Sequence, residues 1–312
     1  MTEGLYGKSL LDLTELTEEN FIEIIQLGIG MKKDSEKYKT VLSGKILAMI
    51  FEKNSTRTRV SFEAGIIQLG GQAIILDTKS TQMGRGEPVK DTAKVISSYV
   101  DGIMIRTFSD QMIQEFSKES SVPIINGLTD HHHPCQVLAD FMTIFEIKNK
   151  LKGIKLAYVG DGNNMAHSYL LGGSIVGMDI AIASPKEYQP NPEYVEQAQK
   201  IANTSGSQII ITDDPYEAVK NADVVVTDVW ASMGDEGEQE MRTQIFHDYQ
   251  VNDSLVQQAK SDYMFLHCLP AHREEEVSSK VIDGDHSYIY QEAENRLHAQ
   301  KALLVKLMAK EK

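Results

Sequence analysis

The chain has little cysteine, no long apolar run, no excess of basic residues and no short repeat, and each absence removes a class of protein. Cys135 and Cys268 are the only cysteines among 312 residues. They stand far apart, each inside a pattern of its own, which argues against a disulfide framework and against a C-x-x-C zinc or redox site. Reduced thiols and a cytoplasmic location are expected. No apolar stretch approaches the roughly 20 residues that span a bilayer, and the opening MTEGLYGKSLLDLTEL lacks the basic-then-apolar layout of a secretory signal. A formal charge of −14 argues against a protein that neutralises nucleic-acid phosphates or anionic lipid. Arginines that cluster in such a chain are local tools. The absence of repeats and low-complexity tracts argues against a solenoid or a disordered tail.

What is present is an alternation of strand-like and helix-like segments over a length that suits two domains of roughly 100–200 residues each. Lys45 to Phe51 (KILAMIF) has the apolar density of a buried strand, and VSFEAGIIQL has helical spacing, with Gly70 and Gly71 as its stop. QAIIL, GIMIRTF and VPIIN supply further strands, DQMIQEFSKES a helix, and a polar loop runs through Met83 to Glu87. A helix around Val137 to Leu151, with Pro134 in its first turn, joins this series to a second. There IKLAYVG, MDIAIASP, QIIIT, ADVVVTDV and YMFLHCLP alternate with helical NMAHSYLLGGSIVG and PEYVEQAQKIAN. The rhythm predicts an α/β chain of two doubly wound parallel-sheet domains, with an N-terminal helix capped by Thr17 and a C-terminal helix through QEAENRLHAQKALLVKLM.

Polar groups fall where doubly wound sheets place their ligands, at strand ends. Ser55-Thr56-Arg57-Thr58-Arg59 leaves a strand and enters a helix, where backbone N–H groups and the helix dipole attract anions and guanidinium groups grip phosphate oxygens in pairs. Arg106 ends the apolar run GIMI, a costly position for a cation unless an anion pairs with it. His133-Pro134-x-Gln136 opens another helix, Asp228 ends ADVVVTDV ahead of Ser232-Met233-Gly234, and Leu266-His267-Cys268-Leu269-Pro270 ends the last strand.

Together STRTR, Arg106, HPCQ, HCLPAHR and EAENRLHAQ resemble the aspartate/ornithine carbamoyltransferase family across nearly the whole chain, and DGNN with SMG after DVW resembles its ornithine branch. The resemblance implies a carbamoyl phosphate-binding domain over residues 1–150 and an ornithine-binding domain over 151–312, the C-terminal helix packing back on the first. It implies attack by the δ-amine of L-ornithine on carbamoyl phosphate, giving citrulline and phosphate in arginine metabolism. Ser55, Thr56, Arg57 and Thr58 would cradle the phosphate. Arg106, His133 and Gln136 would address the carbonyl end and its oxyanion, with Leu269, Cys268 and Arg296 beside the carbamoyl group. Gln82, in STQMGRGEP, matches a glutamine that family members borrow from a neighbouring subunit, which implies a homo-oligomer built on trimers. Asn164, Asp228, Ser232 and Met233 would hold ornithine, Asp228 on the α-ammonium. Cys268 would lie near the δ-amine as a polarisable contact. Neither a cofactor nor a metal is implied.

Other readings fare less well. His131, His132 and His133 are adjacent and lack H-x3-H spacing, so only His133 inherits a role. Gly160-Asp161-Gly162-Asn163-Asn164 invites comparison with the fingerprint of an NAD-dependent dehydrogenase. The third glycine position holds Met165, however, and the strand that should end in an acid ends in Ala183-Ser184-Pro185. A carbamoyltransferase for putrescine would lack the SMG signature. Trp230 fits packing and pocket equally, Cys135 reads as a buried packing residue, and His267 and His272 flank the thiol. Glu274, in AHREEEV, departs from the glycine that many relatives carry after the arginine.

Overall fold

The computed structural model describes residues 4–78, 81–231 and 236–310. The chain divides into two compact units, one of Met1–Met142 with Asn295–Lys312, the other of Thr143–Glu294. Each is built on a parallel sheet, as the alternation predicts.

In the first unit, α1 (Glu18–Lys33) starts at Thr17, whose Oγ1 accepts the Asn20 N–H while Asn20 Oδ1 accepts the Thr17 N–H, both at 3.2 Å. That reciprocal box satisfies two donors a helix start leaves unpaired. The strands are β1 (Ile46–Phe51), β2 (Gln72–Asp77), β3 (Gly102–Arg106) and β4 (Ile124–Leu128), with α2 (Thr56–Gln68), α3 (Val89–Ser97) and α4 (Asp110–Glu119) between them. α5 (Pro134–Lys148) follows. The polar stretch after β2 thus contains α3, whose Val89, Ala93 and Ile96 recur at helical spacing.

The sheet order is β2-β1-β3-β4. Central β3 is buried along its whole length. Beside β4, Leu10 forms a parallel bridge with Ile125, its N–H donating to the Ile124 carbonyl at 2.8 Å, so the segment before α1 covers that edge.

The second unit carries β5 (Lys155–Val159), α6 (Asn164–Ile175), β6 (Asp179–Ala183), α7 (Pro192–Ser205), β7 (Ile209–Thr212), α8 (Pro215–Val219) and β8 (Val224–Thr227). After them come α9 (Gln239–Phe246), α10 (Asp253–Val256), β9 (Met264–His267) and α11 (Ser279–Ile282); α12 (Ile289–Met308) follows and belongs to the first unit from Asn295 on. The order is β7-β6-β5-β8-β9. The core packs Val159, Val225 and Phe265 with Trp230 and Phe246, whose rings stack with centroids 6.0 Å apart. Trp230 is therefore a packing residue.

In both sheets the strand order reverses beside the first-formed strand, between β1 and β3 and between β5 and β8. Chains diverging there leave a crevice at the carboxyl ends of the strands, the place where open α/β sheets bind ligands.

Candidate active site

The first unit builds a cationic half-site at its reversal point. Phe51 ending β1 and Arg106 ending β3 are paired in register, so the loop after β1 and the Arg106 side chain leave the sheet side by side. Ser55 caps α2, its Oγ accepting the Thr58 N–H at 3.2 Å. The helix consequently starts at Thr56, four residues ahead of VSFEAGIIQL, and places Arg57 and Thr58 in its first turn, where the dipole is positive. Thr58 is buried, and its Oγ1 accepts a hydrogen bond from the Arg296 guanidinium at 2.9 Å. That contact carries the EAENRL motif of α12 to the STRTR motif of α2.

His133 sits just before Pro134 at the start of α5, its carbonyl accepting the Gln136 N–H at 3.2 Å. Burial holds its imidazole well below the usual histidine range, and Arg296, Arg106 and Arg57 push it further the same way. The positive charge of three guanidinium groups thus acts on one neutral ring. Arg106 and Arg296 are themselves buried, whereas Arg57 is exposed. Gln136, fully buried, donates its side-chain N–H to Asp140 Oδ1 at 2.8 Å, which fixes the amide and makes Oε1 its acceptor. Gln82 stands exposed on the separate loop after β2, heading a single 3-10 turn, Met83–Arg85.

The neighbouring histidines differ in their surroundings. His131 is exposed with Nδ1 2.6 Å from Asp110 Oδ2, and His132 is buried in the loop. Cys135 is buried, its thiol pushed up to about 12 chiefly by burial, and it donates to the Asn126 carbonyl at 3.3 Å.

The second unit builds an acidic half-site at its own reversal point. Asp228 follows β8 and is buried; its Oδ1 accepts the Val229 N–H at 2.8 Å and the Cys268 thiol at 3.1 Å, while Oδ2 accepts Asn163 Nδ2 at 3.2 Å. Thr227 and His267 are register partners, so Asp228 and Cys268 leave adjacent strands together. Asn163 caps α6, accepting the Met165 N–H at 2.9 Å, and also accepts the Tyr158 hydroxyl at 3.3 Å. Burial, then Asp228, Asp161 and Cys268, push the Tyr158 phenol up, which keeps it a donor.

Sequence reasoning passed over Asn163 for its neighbour Asn164, which opens α6 half-buried and passes its carbonyl to Ser168. The available signal was an asparagine one residue before a helix, the cap position. Glu276 was missed as well. It is fully buried with Oε1 3.2 Å from His267 Nε2, while His267 Nδ1 accepts the Leu269 N–H at 2.9 Å. That pairing fixes the ring with its proton on Nε2 and holds Leu269 at φ +57° beside the thiol. Ser232 and Met233 lie outside the described residues.

Gly162 settles the glycine-rich turn. A Cβ there would come within 2.3 Å of the Pro190 nitrogen, and the Gly162 N–H donates to the Tyr188 carbonyl at 2.8 Å. The glycine admits a neighbouring loop of the protein itself. Asp161 beside it pairs with Arg242 at 2.8 Å, in a structural contact.

The model of the aspartate/ornithine carbamoyltransferase carbamoyl-P binding domain matches residues 8–146, and that of the Asp/Orn binding domain matches residues 152–307. The chain belongs to this family. It is 57% identical over 310 residues to the ornithine carbamoyltransferase of Anoxybacillus flavithermus, covering 98% of each chain. The Bacillus subtilis protein of the same name is 57% identical over 307 residues, covering 98% of this chain and 96% of the relative. Among solved structures, ornithine carbamoyltransferase from Pyrococcus furiosus superposes with a TM-score of 0.94 at 49% identity, covering 98% of this chain and 99% of that one.

Among the described residues, Asp228, His267 and Cys268 present ligand atoms within 4.8 Å of one another, a carboxylate, a nitrogen and a sulfur. Both ring nitrogens of His267 are committed to Leu269 and Glu276, and the thiol to Asp228, so this trio serves the protein's own hydrogen bonds.

Proposed function

We propose that the chain transfers the carbamoyl group of carbamoyl phosphate to the δ-amine of L-ornithine, yielding L-citrulline and phosphate. The observation that carries the reading is the combined positive field of Arg296, Arg106 and Arg57 on neutral, buried His133, with Arg57 in the first turn of α2 and Arg296 bonded to Thr58 there. Like charges gathered around buried groups are costly unless an anion shares the space, and carbamoyl phosphate is one.

Ser55, Thr56, Arg57 and Thr58 bind the phosphate. Arg106 and the neutral N–H of His133 meet the carbonyl oxygen as it becomes an oxyanion, and Leu269 and Arg296 are further ligands of the carbamoyl group. The orientation of Gln136 refines its role: an acceptor oxygen suits the carbamoyl NH2, leaving the oxyanion to Arg106 and His133.

Ornithine is held by Asp228 with Asn164, Ser232 and Met233. Asp228 offers Oδ2 on its Asn163 side to the α-ammonium, and Oδ1 leads to Cys268, the contact for the δ-amine. An alkylamine with a pKa near about 10.4 must lose a proton before it attacks. Its nitrogen then bonds to the carbamoyl carbon, the bond from that carbon to the phosphate oxygen breaks, and the surplus proton on the nitrogen leaves with the departing phosphate. Positioning the amine on a thiol avoids the carboxylate contact that would hold it charged.

The proposal includes a homo-oligomer, a trimer or a multiple of trimers, in which Gln82 reaches the phosphate site of a neighbouring copy. Gln82 also lines an apolar groove of about 320 Å³ with Ile50, Leu76, Val95 and Tyr99, and Val95 and Tyr99 are exposed. A cytoplasmic reaction fits the two free cysteines and the lack, among the described residues, of a helix long and apolar enough to cross a membrane.

The test is citrulline formation from carbamoyl phosphate and ornithine, run beside putrescine and aspartate, with mass measured by light scattering on the same sample. Turnover with ornithine alone supports the reading. Turnover with another amine overturns the ornithine half, and inactivity with all three overturns it entirely. A monomeric mass rejects the oligomer.

A further inference from the structure

The loop after the HCLP motif holds a second cluster that the carbamoyl reaction does not use. His272, Glu275 and Glu276 bring their ligand atoms within 4.8 Å of one another. Nδ1 of His272 lies 3.9 Å from Glu275 Oε2 and 3.7 Å from Glu276 Oε2. Ligands at about 2.0–2.1 Å around a tetrahedral zinc stand roughly 3.3 Å apart, so the trio closes on such an ion by side-chain shifts of no more than about 1.5 Å, which the partly exposed His272 and Glu275 can make.

Two observations set this cluster apart from a chance group of surface acids. The Glu276 side chain is 0% exposed, and its Oε2 has no hydrogen-bond partner although it lies 3.7 Å from His272 Nδ1. A buried carboxylate oxygen without a donor is costly, and a cation would satisfy it. Its other oxygen is fixed from behind, accepting the His272 N–H at 2.5 Å and facing His267 Nε2 at 3.2 Å. The local competitor for the site is also occupied: Arg273 forks onto Asp283 at 2.8 and 2.6 Å. Glu275 is steadied by Gln239, whose Nε2 donates to its Oε2 at 2.8 Å. The His272 and Glu275 side chains are 48% and 37% exposed, so an ion enters from solvent and meets the buried oxygen last.

The geometry points to a divalent transition-metal site formed by His272 Nδ1, Glu275 and Glu276 Oε2, of the borderline kind that takes Zn²⁺, Co²⁺ or Ni²⁺ on nitrogen and oxygen. Water completes the coordination. An ion there engages the carboxylate that orients His267, and through it the Cys268-Leu269 turn.

The experiment uses the full-length, tag-free chain, stripped of metal and titrated with Zn²⁺ by calorimetry and with Co²⁺ by visible absorption, without substrates. One ion per chain is expected, with no thiolate charge-transfer band. His272→Ala and Glu275→Gln, both partly exposed positions, should each weaken Zn²⁺ binding at least tenfold, and Cys268→Ser should leave it unchanged. The proposal is overturned by no binding, by binding that survives both variants, or by a thiolate band that disappears with Cys268→Ser, which would move the ion to Asp228, His267 and Cys268.

Discussion

The two half-sites occupy the same topological position and solve opposite electrostatic problems. In the first unit the sheet reversal is crowned with positive charge: the α2 N-terminus, Arg57, Arg106 and Arg296. In the second, the equivalent reversal carries Asp228, tied by three hydrogen bonds to Asn163, Val229 and Cys268, while Asp161 nearby is already paired with Arg242. A phosphate needs many donors that are already in place, and a helix start with rigid guanidinium forks supplies them. An amino acid's ammonium needs one well-oriented acceptor. The fold is shared, and the residues after each strand decide which ion it receives.

The sharpest way to break the comparison is to remove a cation from the first half-site. Arg106→Gln should lower kcat by roughly 10²–10³, the usual cost of deleting one preorganised donor to a developing oxyanion. Lysine at this position should not restore it, because a point charge cannot reproduce the fork. Full activity in Arg106→Lys, measured as citrulline produced per second, would reduce the role of Arg106 to charge alone.

A smaller effect is expected from the second half-site. Asp228→Asn keeps the shape and removes the charge, so the KM for ornithine should rise roughly 10–100-fold, the scale of a charge-assisted hydrogen bond at about 1.5–3 kcal/mol. Carbamoyl phosphate binding, read by calorimetry without ornithine, should be unchanged. Weakening of both substrates would show that the two half-sites are not chemically separable.

The pH response separates them further. His133 is held neutral by burial and by three guanidinium groups. Above pH about 6.5 the ring is neutral in both folded and unfolded chains. As the pH falls below that, the unfolded chain takes a proton that the folded chain refuses, so stability declines toward the lowered folded value. Urea midpoints at pH 7.0 and 5.5 should therefore converge in His133→Gln relative to the unchanged chain. An identical drop in both would remove His133 as the cause.

Much of this was legible before any coordinates. Strands such as GIMIR and ADVVVTDV are buried on both faces and read as continuous apolar runs, and Arg106 interrupts one at its end, so its cost was visible in the sequence. The cap that starts α2 at Thr56 was hidden because Ser, Thr and Arg carry no apolar periodicity; what sets that boundary is the hydrogen bond from the Thr58 N–H to Ser55. Asn163 and Glu276 were hidden for another reason. Their partners Asp228 and His267 are 65 and 9 residues away, and a contact made by the tertiary fold leaves no trace in local spacing.

Glu274 shows how a departure from the family pattern becomes intelligible only in three dimensions. Its φ is +68°, the left-handed region in which a side chain is strained and glycine is not. A glycine at this position would therefore have a conformational reason. Glutamate brings a compensation: Oε1 accepts the Ser279 N–H at 2.9 Å, at the start of α11, and the Ser279 hydroxyl first, then this N–H, hold the carboxyl below the usual glutamate range. The two effects oppose each other, so Glu274→Gly should leave the melting temperature within about 2–4 °C of the unchanged chain, the shift produced by a change at the edge of measurable stability. Glu274→Ala keeps the strain and loses the cap, and should melt below both. If alanine melts with the other two, the carboxylate contributes nothing at α11, and the departure from glycine carries an uncompensated strain that the rest of the fold absorbs.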